Sequence, residues 1–146
     1  MNISKHVTRA EFEQSNVAIN YGISNSMDST QLACAVLLCE KVFEPLRANF
    51  GVPIKINSGF RSLAVNKRLG GSSKTSQHMK GEALDLHIGS KEFHFIKDNL
   101  DFDQLIWEMG NATEPQWVHV SYKKAGNRKQ VLRATKKAGK TVYSPF

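Results

Sequence analysis

His78 and Asp85 stand seven positions apart in SQHMKGEALDLH, and His119 follows in QWVHVSY. Residues of these types can bind a metal ion. A catalytic zinc takes three protein ligands from His, Asp or Glu and leaves a fourth position for water. The pKa of that water falls from nearly 16 toward about 7, which supplies hydroxide at neutral pH. His78 ends the polar segment SSKTSQHMKG, and Gly81 permits a tight turn before the next strand. EALDLHI alternates, with Ala83, Asp85 and His87 on one face and Leu84, Leu86 and Ile88 on the other. A carboxylate at Asp85 would be costly to bury unpaired, and a metal would satisfy it. In WVHVSY, Trp117, His119 and Ser121 point one way while Val118 and Val120 point the other. Each candidate ligand on a strand therefore projects from the side that the aliphatic residues do not occupy. By spacing alone, ordinary satisfied polar residues explain the same pattern, and both readings stand.

The elements that must position these residues can be read from capping and periodicity. Thr8 followed by Glu11 is a capping box for a short helix. YGISNSMDS is loop-like, and Asp28 or Ser29 can then cap a long helix to about residue 49. Leu32, Val36, Cys39, Phe43 and Leu46 recur along it at three to four, Pro45 is expected to kink it, and Gly51 fits its end. VPIKINS predicts a strand in which Val52, Ile54 and Ile56 alternate with polar residues. GFRSLAVNKRLGG predicts a loop and a short helix ended by Gly70 and Gly71, and KEFHFIKDNL predicts another helix. FDQLIWE and WVHVSY read as paired strands joined by MGNATEPQ, with KTVYS as a last strand. The expected fold is a single α+β domain over residues 1–146, with N-terminal helices packed on a mainly antiparallel sheet.

Composition narrows the classes. A chain of 146 residues with 40% hydrophobic and 23% charged content suits one globular core rather than wholesale disorder. No apolar run approaches the roughly 18 residues of a membrane helix. The start, MNISKHVTRAEFEQ, lacks the apolar core of a secretory signal, so synthesis in the cytoplasm is expected. Cys34 and Cys39 lie five apart in a helical pattern and read as small buried hydrophobes without a disulfide. The net charge is +7, and residues 123–146 hold eight Lys or Arg with no Asp or Glu. Such a flank suits an anionic polymer, nucleic acid or bacterial wall, or else is simply a solvated surface.

The segments NSGFRS, NKRLGGSSKTSQHMKGEALDLH, FDQLIWE and WVHVSY together resemble the zinc peptidases of the D-Ala-D-Ala carboxypeptidase type, peptidase family M15. Within it the match is nearest the short single-domain branch common in bacteriophages and prophages. The SxHxxGxAxD pattern is complete as Ser76, His78, Gly81, Ala83 and Asp85, and the resemblance extends upstream through GISNS and FEPLRANFGVPIKI. It implies a fold related to the amino-terminal domain of hedgehog signalling proteins, with Zn2+ held by His78, Asp85 and His119. It further implies that Arg61 holds a substrate carboxylate and that Ser76 and Gln77 contact the substrate peptide. Many relatives carry an acidic residue three positions before the last His ligand, where this chain has Gln116, which cannot accept a proton from water. Glu108 closes FDQLIWE, much as a glutamate precedes the HxH strand in the hedgehog domain, and is expected to be the general base. Glu114 is the alternative. Trp117, two before His119, is expected to wall the site, and His87 could orient a ligand.

The resemblance thus implies a zinc-dependent peptidoglycan peptidase, acting as a monomer on stem peptides or cross-links, as phage endolysins do. Without a signal, such a protein would reach the wall through a separate export or lysis protein, and neither membrane insertion nor a specific nucleic acid is expected. Two rivals remain at this stage: a zinc-bearing, non-catalytic wall-binding module of the same fold, and a nucleic-acid binder supported by charge alone.

Overall fold

The computed structural model describes residues 1–70 and 76–146. Gly71 and the residues following it to position 75, part of the expected polar loop, lie outside the described residues. After a short hairpin of β1 (Asn2–Ser4) and β2 (Val7–Thr8), Thr8 caps α1 (Arg9–Glu13) through the expected capping box with Glu11. Ser15 caps α2 (Asn16–Tyr21), which periodicity alone did not reveal because it is barely two turns long. Asp28 caps α3 (Ser29–Leu38), and Gln31 returns the bond to the cap backbone. Pro45 does not break the long helix. The chain instead widens into a π-helical turn over Cys39–Phe43 and continues as α4 (Glu44–Phe50). Proline has no N–H and its ring excludes the carbonyl four residues back, and in the wider turn the Glu44 N–H reaches Cys39 O. Gly51 ends α4 at φ 66°, a left-handed geometry that glycine adopts freely.

The sheet follows. It comprises β3 (Lys55–Ser58), β4 (Ala83–His87), β5 (Gln104–Glu108), β6 (Trp117–Ser121), β7 (Gln130–Lys137) and β8 (Lys140–Pro145), in the order β3-β4-β6-β5-β7-β8. All neighbours are antiparallel except the parallel pair β5 and β7. Helices α5 (Leu63–Arg68) and α6 (Ser90–Asn99) fall where the sequence predicts. The α+β class and mainly antiparallel sheet thus match expectation, with two differences. Strand β3 begins at Lys55, leaving Val52 exposed. Strand β7 lies inside the basic flank, where charged side chains disguise the alternation of QVLRATKK.

Period-two alternation divides the sheet into two unlike faces. Leu84, Leu86, Leu105, Trp107, Val118 and Val120 join one core with Phe12, Leu38, Phe43, Leu46, Phe93 and Ile96 from the helices. The register places Asp85, His119, Ile106 and Leu132 in one row on the opposite face, and Trp117, Glu108, Ala134 and Tyr143 in the next. Cys34 and Cys39 are free thiols, and burial pushes Cys39 up to about 12, leaving it unreactive. Among the described residues no helix is long and apolar enough to cross a membrane.

Two contacts lock β7 onto β5. Asp103, fully buried at the start of β5, accepts from the Arg128 backbone N–H at 3.0 Å and from its guanidinium at 3.0 and 2.8 Å. On the other face the Arg133 guanidinium sits 4.8 Å from the ring centres of both Trp107 and Phe146. Burial alone would raise the Asp103 carboxyl, but its bonds from Arg128 hold it down to about 2. A carboxyl depressed in the folded state stabilises above its ordinary pKa and loses that contribution as pH falls toward the folded value. Asp103→Ala is therefore expected to cost about 2 kcal/mol at pH 7, with the difference from wild type shrinking below about pH 4, as urea melts across pH would read.

Candidate metal centre

The sheet delivers the site through a bulge. Between Ile56 and Ser58 the β3–β4 register shifts by a residue, so Ser58 pairs with Asp85 and the chain turns sharply into Gly59, Phe60 and Arg61. That turn aims the Gly59 carbonyl at the buried ring of His78, whose Nδ1 lies 2.6 Å from it. A carbonyl only accepts, so Nδ1 carries the proton and Nε2 keeps its lone pair facing the sheet. His78 sits in a 3-10 turn over Gln77–Lys80, closed by Gly81 at φ 73°. A Cβ on Gly81 would collide with the Gln31 carbonyl, so the residue must be glycine for space as well as for conformation. Gln31 Nε2 also donates to Met79 O at 3.1 Å, pinning this turn against the start of α3.

Asp85 and His119 face each other directly across β4 and β6. Asp85 Oδ1 lies 3.0 Å from His119 Nδ1 and 3.3 Å from His78 Nε2, while Oδ2 lies 3.4 Å from Arg61 Nη2. One donor atom from each of His78, Asp85 and His119 falls within 4.8 Å of the others, a spacing that could hold a metal ion. Burial lowers the His78 pKa, leaving its imidazole neutral. Burial also pushes the Asp85 carboxyl up, but the two imidazoles outweigh it and hold Asp85 well below the usual carboxylate range. Two imidazoles and one carboxylate, converging with the His78 tautomer fixed, form a donor set that fits Zn2+.

Beside this cluster the same face opens into a cleft of about 660 Å³. Arg61, Ser76, Gln77 and Glu108 line it together with the three donors, so seven of the expected site residues converge there. Trp117, also expected, is absent from that lining. It pairs across the strands with Glu108 and stands half-buried beside it. Burial pushes the Glu108 carboxyl up to about 7, with the Asp85 charge adding to the rise and His119 and the Trp117 side chain opposing it. Glu114 is engaged elsewhere, its Oε2 accepting the Ser90 N–H at 2.8 Å at the start of α6. With Gln116 and His87 it borders a separate recess, and His87 is not among the residues lining the cleft.

Sequence reasoning did not assign Gly59, Leu132 or Tyr143 to the site. The Gly59 carbonyl fixes the His78 tautomer, but a backbone acceptor leaves no residue-type signal. Leu132 and Tyr143 also line the cleft. KTVYS was expected as the last strand and is β8, but the alternation of β7, which places both strands on the cleft, was masked by its Lys and Arg.

The fold and the donor cluster define a metallopeptidase-like site, and the sequence carries the matching signature: a model of the peptidase M15 family matches residues 5–121. The chain belongs to that family. It is also 51% identical over 41 residues to the zinc D-Ala-D-Ala carboxypeptidase of Streptomyces albus G, a stretch that is 28% of this chain and 16% of that protein.

The raised Glu108 carboxyl has a measurable consequence. A carboxyl raised in the folded state favours folding while protonated and loses that advantage as pH rises through the folded value. Glu108→Gln, which stays neutral, is expected to stabilise the metal-free protein on the order of 1–2 kcal/mol at pH 8.5, after screening by cleft water, and to change little at pH 5. Thermal melts of chelator-treated protein at the two pH values check this.

Proposed function

We propose that the protein is a zinc-dependent peptidase that hydrolyses amide bonds in peptidoglycan stem peptides or cross-links. The observation that carries this reading is the convergence of His78, Asp85 and His119 on the floor of an open cleft, with Glu108 beside them. His78, Asp85 and His119 would hold the zinc. When bound, zinc supplies a Lewis acid that polarises a carbonyl and acidifies water.

Glu108 is the general base. It accepts a proton from the attacking water and returns it to the leaving amine nitrogen, a double role suited to a carboxyl whose pKa lies near the working pH. Trp117 stands beside Glu108 and keeps it oriented. Among the described residues the Arg61 guanidinium, which faces the cleft, donates to Ser58 Oγ at 3.2 Å and to Asp85 Oδ2 at 3.4 Å, and its remaining donors suit a substrate carboxylate. Ser76 and Gln77 border the same cleft at the first ligand and offer polar groups to the substrate backbone.

The substrate class is inferred from the family and from a relative whose name specifies D-Ala-D-Ala. An endolysin-like role at the bacterial wall is consistent with the basic residues 123–146, which would favour an anionic polymer. We also read the fold as akin to the hedgehog amino-terminal domain, on the strength of the strand ending in Glu108 beside the strand bearing His119. A non-catalytic, zinc-bearing wall-binding module is the second reading, because Gln116 stands where many relatives have an acid. Glu108, already beside the cluster, weighs against it.

Hydrolysis of purified peptidoglycan, read by mass spectrometry with chelation and zinc restoration, tests the proposal. Fragments are expected only with metal, and zinc bound at one per chain without any cutting would favour the binding module. His78→Ala is expected to lose metal and activity together. Glu108→Gln should keep the metal and lose about 10²- to 10⁴-fold in turnover, and unchanged turnover would remove Glu108 as the base.

A further inference from the structure

Residues 122–146 lie outside the part of the chain that matches the peptidase family, yet they build part of the cleft. Strand β7 adds to β5 in parallel and β8 returns beside it, extending the sheet by two strands past Glu108. The register carries the site face onto this hairpin. Ile106 pairs with Leu132, and Glu108 pairs with Ala134, which in turn pairs with Tyr143. Leu132 and Tyr143 accordingly line the same cleft as Arg61 and the three donors. Ala134, small and fully buried, lies between Glu108 and Tyr143 in this row. Tyr143 is 55% exposed, so much of its ring is open to a bound molecule. The hairpin is held by the Asp103–Arg128 bonds and by Arg133, which lies over the packed rings of Trp107 and Phe146.

The two ends of the cleft are chemically unlike. At one end Arg61, beside Asp85, offers a cation. At the other, Leu132 on β7 and Tyr143 on β8, three and four strands from β4, offer apolar surface and one hydroxyl. Four strand spacings are about 19 Å, and side chains reaching inward from both ends leave room for about three or four extended residues.

We propose that the C-terminal hairpin is a second wall of the active-site cleft and that Tyr143, with Leu132, binds substrate residues on the far side of the cut bond from Arg61. This rests on the peptidase reading and deepens it: the preferred substrate is an oligopeptide rather than a dipeptide. Tyr143 is a substrate-positioning residue. Its ring supplies the contact, so Tyr143→Phe should behave much as wild type and Tyr143→Ala should not.

The experiment uses the full-length, zinc-loaded protein and two synthetic substrates. One is a five-residue stem peptide, and the other is the capped dipeptide spanning whichever bond wild type cuts in it. Tyr143→Ala is expected to raise KM for the pentapeptide about five- to thirtyfold with kcat within about twofold, while leaving kcat/KM for the dipeptide unchanged. Calorimetric binding of the pentapeptide to Glu108→Gln, with and without Tyr143→Ala, should show the same loss in affinity without turnover. Bound zinc and the melting temperature should not move. An equal effect on both substrates, or none on either, overturns the subsite while leaving the peptidase standing. Failure of the wild type to cut any stem peptide overturns the peptidase reading and the subsite with it.

Discussion

The direct pairing of Asp85 with His119 across β4 and β6 is the constraint on which the rest of the molecule depends. Strand side chains alternate, so a register slip of one residue would turn a carboxylate into the core and a leucine into the cleft. Several features hold the register. Leu84 and Leu86 on β4, with Val118 and Val120 on β6, are fully buried against the helices and tolerate no inversion. The bulge in β3 then brings a second layer of chain over the pair, supplying the carbonyl that orients His78. Packing on one face thereby fixes chemistry on the other.

Much of this was legible in the sequence because the same alternation that buries leucine and valine exposes Asp85 and His119. The strands FDQLIWE and WVHVSY, the caps at Thr8 and Asp28, and the glycine turns at Gly51 and Gly81 were all readable from residue type and spacing. Family resemblance rather than periodicity turned the polar face into a metal centre. What stayed hidden has a physical reason in each case. The π-helical turn answers a proline whose effect depends on how the helix packs. The Gly59 carbonyl and the distance of Glu114 from the cluster are set by tertiary approach, which local pattern does not encode. Strand β7 was masked because a strand whose outward face meets water can carry lysine and arginine without penalty.

The electrostatics of the cleft are correspondingly divided. Asp85 remains ionised between two imidazoles, whereas Glu108 is pushed toward neutrality by its own burial. Two carboxyls on one sheet face therefore have opposite tendencies, one suited to holding a cation and the other to exchanging a proton.

The parallel pairing of β7 with β5 also bears on how the molecule behaves among its own copies. Without the hairpin, β5 would present an open row of backbone donors and acceptors next to the bulky Trp107, a template on which another strand could form. With it, the outermost strand is β8, exposed throughout its length, beginning with Lys140 and ending with Pro145. A lysine resists the approach of a like-charged edge, and a proline offers no N–H to a seventh strand. The chain thus trades an adhesive sheet edge for a blunt one, which favours colloidal stability.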